Sequence, residues 1–203
     1  MNMKRISVSC GVLLLSVATA VFWWLGPEDE ETLSVPERVC GGIFSGEKIA
    51  PLLRGSEGEM ESEVIRNFPG SRNRSNTPVC ELSAEGGSAG FRVIYTGYPD
   101  DPKELKKEYR FIVEFGPSYG AYSYLSGTIT LDIPCPTSSD PKATLFLNMG
   151  ASAAREGDAE GMTRLEEVGG YAARTLAQKV YKCKGAEKLP EGPVHIKKGE
   201  GTR

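Results

Sequence analysis

The chain has 203 residues, 39% apolar and 25% charged, with a formal charge of -3 at pH 7. That suits one ordinary globular domain beside any targeting segment. The slight acidity gives no electrostatic footprint for a nucleic-acid partner, which usually requires a clustered basic face, and none is expected.

Residues 1–5 carry the only two charges before position 28, Lys4 and Arg5. An uncharged run extends from Ile6 to Gly26, and Glu28, Asp29, Glu30 and Glu31 close it. As a helix, 6–26 is ~30 Å long and matches a bilayer core. The positive flank places 1–5 in the cytoplasm and the remainder outside. Phe22, Trp23 and Trp24 sit where amphipathic rings favour the headgroup level. The expectation is therefore an uncleaved signal anchor and a single-pass membrane protein. The competing reading is a secreted protein, an inhibitor for example, released by cleavage after Ala20. Ala18-Thr19-Ala20 fits the small-x-small rule, but the apolar run continues through Val21 to Leu25. Cys10 comes after a serine, yet the apolar run lies after it rather than before, which is the reverse of a lipid-attachment signal.

Residues 27–39, acidic and then polar with Pro27 and Pro36, read as a stalk. A domain over 40–185 comes next. Phe44-Ser45 with Ile49 resembles a stapled helix start that Pro51 cuts short. Residues 56–77 are polar and read partly as loop; Asn73-Arg74-Ser75 within them is a glycosylation sequon by pattern only. "VCELS" and "FRVIYTGY" read as strands joined by "AEGGSAG". Asp101-Pro102 starts a short charged helix or turn, and "YRFIVEF" is another strand.

Gly116-Pro117-Ser118-Tyr119-Gly120 then fits G-x-S-x-G, the nucleophile elbow of serine hydrolases. An elbow needs a strand before the serine and a helix after it. The stretch after Ser118 instead runs into the strict alternation of "GTITLDI", which makes the segment a hairpin connection. The only histidine, His195, lies far away near the C-terminus. A small hydrolase using Ser118 is thus the alternative, and a non-catalytic chain the main expectation. Phe115, Tyr119, Tyr122 and Tyr124 offer a second functional reading, an aromatic platform for a sugar or peptide. Rings packing the core are the simpler account. Glu166-Glu167 reads as part of a solvated helical face.

"GTITLDIPC" and "ATLFLNM" are half-buried strands separated by "PTSSDPK". Asp158 can cap a helix whose stripe is Leu165, Val168, Ala172, Leu176 and Val180. "KLPEGPVHIKKGEGTR" ends the chain, and 186–203 reads as a flexible tail.

Four cysteines lie outside the apolar run: Cys40, Cys80, Cys135 and Cys183. An even number beyond an export signal points to disulfides. None belongs to a close-spaced ligand pair, so no metal and no cofactor is expected. The strand ending at Cys135 reverses into the next strand, which reverses into the helix. The helix then runs parallel to the first strand and brings Cys183 to Cys135, leaving Cys40 for Cys80. The expected fold is α+β: a transmembrane helix, then an antiparallel sheet of about five strands packed by a long C-terminal helix.

"VPERVCGGIFSGEKIAPLL", "VCELS", "LDIPCP" and the terminal "YKC" resemble small, largely uncharacterised exported or membrane-anchored proteins of actinobacteria. That resemblance implies a cell-envelope setting and supplies no catalytic residues. The expected function is a membrane-anchored extracytoplasmic domain that binds an envelope protein or polymer.

Overall fold

The structure, a computed structural model, describes residues 32–65, 68–69, 79–96, 99–152 and 158–203. The anchor expected over 6–26, its flank 1–5, Cys10, the cleavage site and the sequon at Asn73 lie outside the described residues. Among the described residues no helix is long and apolar enough to cross a membrane.

The described chain begins with a two-stranded hairpin, β1 (Arg38–Val39) and β2 (Phe44–Ser45). Cys40, Gly41 and Gly42 turn it with positive φ. Helix α1 (Gly46–Ile49) comes next and gives way to a 3-10 turn, Ala50–Leu53, that contains Pro51. Then come β3 (Glu57–Ile65), β4 (Val79–Glu85), β5 (Gly87–Thr96), α2 (Pro102–Glu108), β6 (Phe111–Phe115), β7 (Ser118–Ser123), β8 (Thr128–Pro134), β9 (Thr144–Ala151), α3 (Ala159–Arg174) and β10 (His195–Lys198). Strands β3 to β10 form one sheet in the order β10-β6-β7-β8-β9-β5-β4-β3, with every neighbouring pair antiparallel.

The expected sheet of about five strands is therefore corrected to eight, because β3, β7 and β10 lack the pattern of a half-buried strand. β3 is glutamate-rich and exposed along most of its length. β7 carries Gly120 in its middle, where a Cβ would collide with the carbonyl oxygen of Thr130 on β8. β10 is four residues long, three of them exposed. Such strands are held by backbone pairing rather than by a continuous apolar face; the alternate glutamates of β3, Glu57, Glu59, Glu61 and Glu63, leave only Met60 and Val64 as large apolar residues at the positions alternating with them.

Two boundaries also differ. The segment read as a stalk is already tied to the domain at Ser34, which bridges to Glu59, and is buried at Val39. The segment read as a tail supplies β10 and then bonds back to α2 and its end, with Gly199 N–H donating to Arg110 O and Glu200 N–H to Lys106 O.

One face of the sheet builds the core. Leu82, Phe91, Val93, Val113, Tyr122, Leu131, Leu145 and Leu147 point to it and are buried. Helix α3 and its continuation supply the other side through Leu165, Val168, Ala172 and Leu176, four residues of the stripe expected from spacing; the fifth, Val180, is partly buried. Each such large side chain contributes about 1.5–3 kcal/mol on burial. Gly169, Gly170, Ala173 and Ala177 are buried too, and their small size lets the helix lie close. Asp158 caps α3 by accepting from Gly161 N–H at 2.7 Å. The last turns widen into a π-helical stretch, Thr175–Val180, in which Tyr181 N–H reaches back to Leu176 O. That winding delivers Cys183 to Cys135, with Cα atoms 4.6 Å apart. Cys40 and Cys80 are bonded with Cα atoms 5.4 Å apart and tie the hairpin to β4. Both bridges join the cysteines that strand direction and elimination pair.

Candidate functional site

Ser118 opens β7 one short turn after β6, with Phe115 as its cross-strand partner. A strand, not a helix, continues from it. It is 1% exposed, on the core face, and its Oγ has no hydrogen-bond partner. His195 pairs with Glu114, whose side chain leaves the opposite face of the sheet. The two residues that a hydrolase would need to join are thus separated by the sheet itself.

The four aromatic candidates do not form a platform. Phe115 and Tyr122 are core residues, 1% and 0% exposed. Burial raises the pKa of the Tyr122 hydroxyl. Tyr124 is half-buried beside Phe111, and Arg110 lies over both of those rings. Tyr119 projects from the other face, where burial and the nearby Asp132 raise its pKa.

That other face, away from α3, is divided in two. Toward β6 and β7 it is covered by α2 and the segment leading into it. Leu105 of α2 is buried, and so is Ala121 of β7. Asp100 N–H donates to Asp132 Oδ2 at 3.2 Å, and Thr144 Oγ1 donates to Asp132 Oδ1 at 3.4 Å. Burial drives the Asp132 carboxyl up to about 6, and the neighbouring Asp100 charge adds to this, while the two hydrogen bonds oppose it.

The remaining half, over β8, β9, β5 and β4, is an open polar trough of about 270 Å³. Register builds its floor: Gly90 of β5 lies opposite Gly150 of β9, with Glu81 and Thr128 on either side. One step along, Arg92 lies opposite Asn148 and beside Val79. Ser88 and Ser126 close one end of the trough. Among the described residues neither the Arg92 guanidinium nor the Asn148 amide has a hydrogen-bond or ion-pair partner.

The two glycines differ in what they require. A Cβ on Gly150 would press on Thr128 Oγ1 at 2.9 Å, so packing accounts for that glycine. A Cβ on Gly90 would meet only Cys80 O, at an ordinary 3.6 Å, and its φ is not positive. Glycine in a strand interior costs about 0.5–1 kcal/mol relative to alanine. Neither packing nor backbone geometry demands it here; a strand glycine can mark a bulge, a bend, or a close approach by a ligand or another backbone.

No single stretch of sequence reveals this trough. Ser88, Gly90 and Arg92 are simply the outward positions of one strand, and Asn148 and Gly150 those of another. A second hollow, along β3 and β4, shares Glu81, Ser88 and Gly90 with the first and adds Glu61 and Glu63. Among the described residues no group of acidic, histidine or cysteine side chains has the arrangement of a metal site. No protein family, curated protein or solved structure matches the chain.

Proposed function

We propose that this chain is a non-catalytic extracytoplasmic domain that binds a protein or polymer of the cell envelope through the trough over Gly90 and Gly150. The observation that carries the reading is Gly90: a residue that lowers strand stability where a side chain would fit, in a floor beneath an unpaired guanidinium and an unpaired amide. A polar trough whose guanidinium and amide face solvent without a partner among the described residues suits a ligand rich in hydroxyl, amide or carboxylate groups. The two disulfides support an oxidising compartment. The apolar run over 6–26 and the resemblance to exported actinobacterial proteins support retention at the cell membrane.

The test is co-sedimentation of the purified full-length chain, in detergent, with isolated envelope fractions. Gly90→Val fills the floor and is expected to abolish retention while leaving the melting temperature equal or higher. Retention of Gly90→Val at the wild-type level overturns the trough as the site. Covalent labelling of wild type by a serine-directed probe, lost in Ser118→Ala, would instead establish the hydrolase.

A further inference from the structure

The two edges of the sheet are finished differently. At β10 the outward backbone is sealed by α3. Ile196 N–H donates to the Glu166 carboxylate at 2.7 Å, and Val194 N–H donates to the Glu166 carbonyl at 3.0 Å. At β3 only Ser34 meets the edge among the described residues. It donates from N–H to Gly58 O at 2.7 Å and accepts from Met60 N–H at 2.9 Å. Strand alternation then turns the N–H and C=O groups of Ser62 and Val64 outward as well. Among the described residues no backbone group bonds to them there.

The side chains along this open stretch are sorted by face. Glu61 lies opposite Ser83 and Glu63 opposite Glu81, on the trough side of the sheet. Among the described residues none of these three carboxylates has an ion-pair partner. Val64 lies opposite Cys80, on the core side, and is 38% exposed. Val35, next to the bridging Ser34, is 37% exposed. Edge strands are commonly guarded by charges that point inward or by bulges that break pairing. Here the charges lie on the side that already faces water; of the inward positions beside them, Ser62 is small and Val64 is apolar. The bulge lies earlier, between Glu57 and Glu61. Such an edge repels acidic strands and leaves pairing open to a basic one.

We propose that β3 is a docking edge for an extended segment of a partner protein, which adds as a further strand beyond Met60. Lysine or arginine at alternate positions of that segment faces Glu61 and Glu63, and an apolar residue on its other face covers Val64. Backbone bonds to Ser62 and Val64 provide the pairing, and charge selects the partner. This rests on the binding-domain reading and adds a protein partner at an edge separate from the trough.

The experiment uses an eight-residue peptide alternating lysine and valine, with amide exchange in the full-length chain measured by NMR. Two controls accompany it: the same peptide with glutamate for lysine, and the lysine peptide N-methylated at alternate residues to remove its inward N–H groups. The expected result is slower exchange of the Ser62 and Val64 amides, by about tenfold or more at saturation, with the lysine peptide alone. The double variant Glu61→Lys/Glu63→Lys, checked for an unchanged fold by its melting curve, should lose the effect. Equal binding of the N-methylated peptide would reduce the contact to surface charge and overturn strand addition, as would absence of protection. Concentration-dependent protection of the same amides without peptide would assign the edge to a second copy and overturn it too. Gly90→Val blocks the trough but not the edge, so peptide protection of Ser62 and Val64 should persist in that variant whatever becomes of its envelope binding.

Discussion

Replacing Asp132 with asparagine tests how the outer face of the sheet is closed over β8. The carboxyl is 3% exposed and lies beneath Asp100, whose backbone N–H it accepts. Burial, reinforced by the Asp100 charge, holds its pKa at about 6, against 3.8 when unperturbed. The folded state therefore binds this proton more tightly than the unfolded chain. The associated stability is complete below about pH 4 and is lost as pH rises through about 6. At 1.36 kcal/mol per unit the full difference is about 3 kcal/mol, and screening by solvent near the Asp100 segment reduces it to roughly 1–3 kcal/mol. The amide introduced by Asp132→Asn keeps an oxygen for the Asp100 N–H and carries no charge. The Asp132→Asn chain should then match wild type at pH 4 and exceed it by about 1–3 kcal/mol at pH 7.5. Urea unfolding of both proteins from pH 4 to 8, disulfides intact, measures the difference curve. Parallel curves would refute the desolvation argument, and a variant less stable at pH 7.5 would mean that the ionised carboxylate is a net stabiliser at this site.

Two predictions concern the bridges and the N-terminus. Removing one bridge with Cys135→Ala/Cys183→Ala opens a loop closed over a separation of 48 residues, and should cost about 4 kcal/mol in urea unfolding; a loss under about 1 kcal/mol would mean that packing of the π-helical end holds the helix unaided. Intact mass of the protein recovered from membranes should include residues 1–26, and a chain beginning at Val21 would replace retention by secretion.

Local pattern made much of this protein legible. The 3.6-residue stripe of α3 and the alternation of β8 and β9 are properties of contiguous residues, and they survive in the structure because burial acts on the same faces. Strand direction comes from them, and with it the pairing of Cys135 with Cys183. The G-x-S-x-G pattern could also be judged locally, since alternation after Ser118 implies a hairpin. The remaining features depend on register between distant strands. Glu57–Ile65 and His195–Lys198 are strands because β4 and β6 offer them backbone partners, and neither carries an apolar pattern of its own. Phe115 and Tyr122 became core and Tyr119 did not, because the pleat sends alternate side chains to opposite faces. Gly90 becomes informative only beside Gly150, in a pairing set by β5 against β9, and only once the space above it is seen to be open. Periodicity reports which residues avoid water; which of them meet across a sheet is decided by the tertiary fold, because hydrogen-bonded register joins residues that chain order keeps apart.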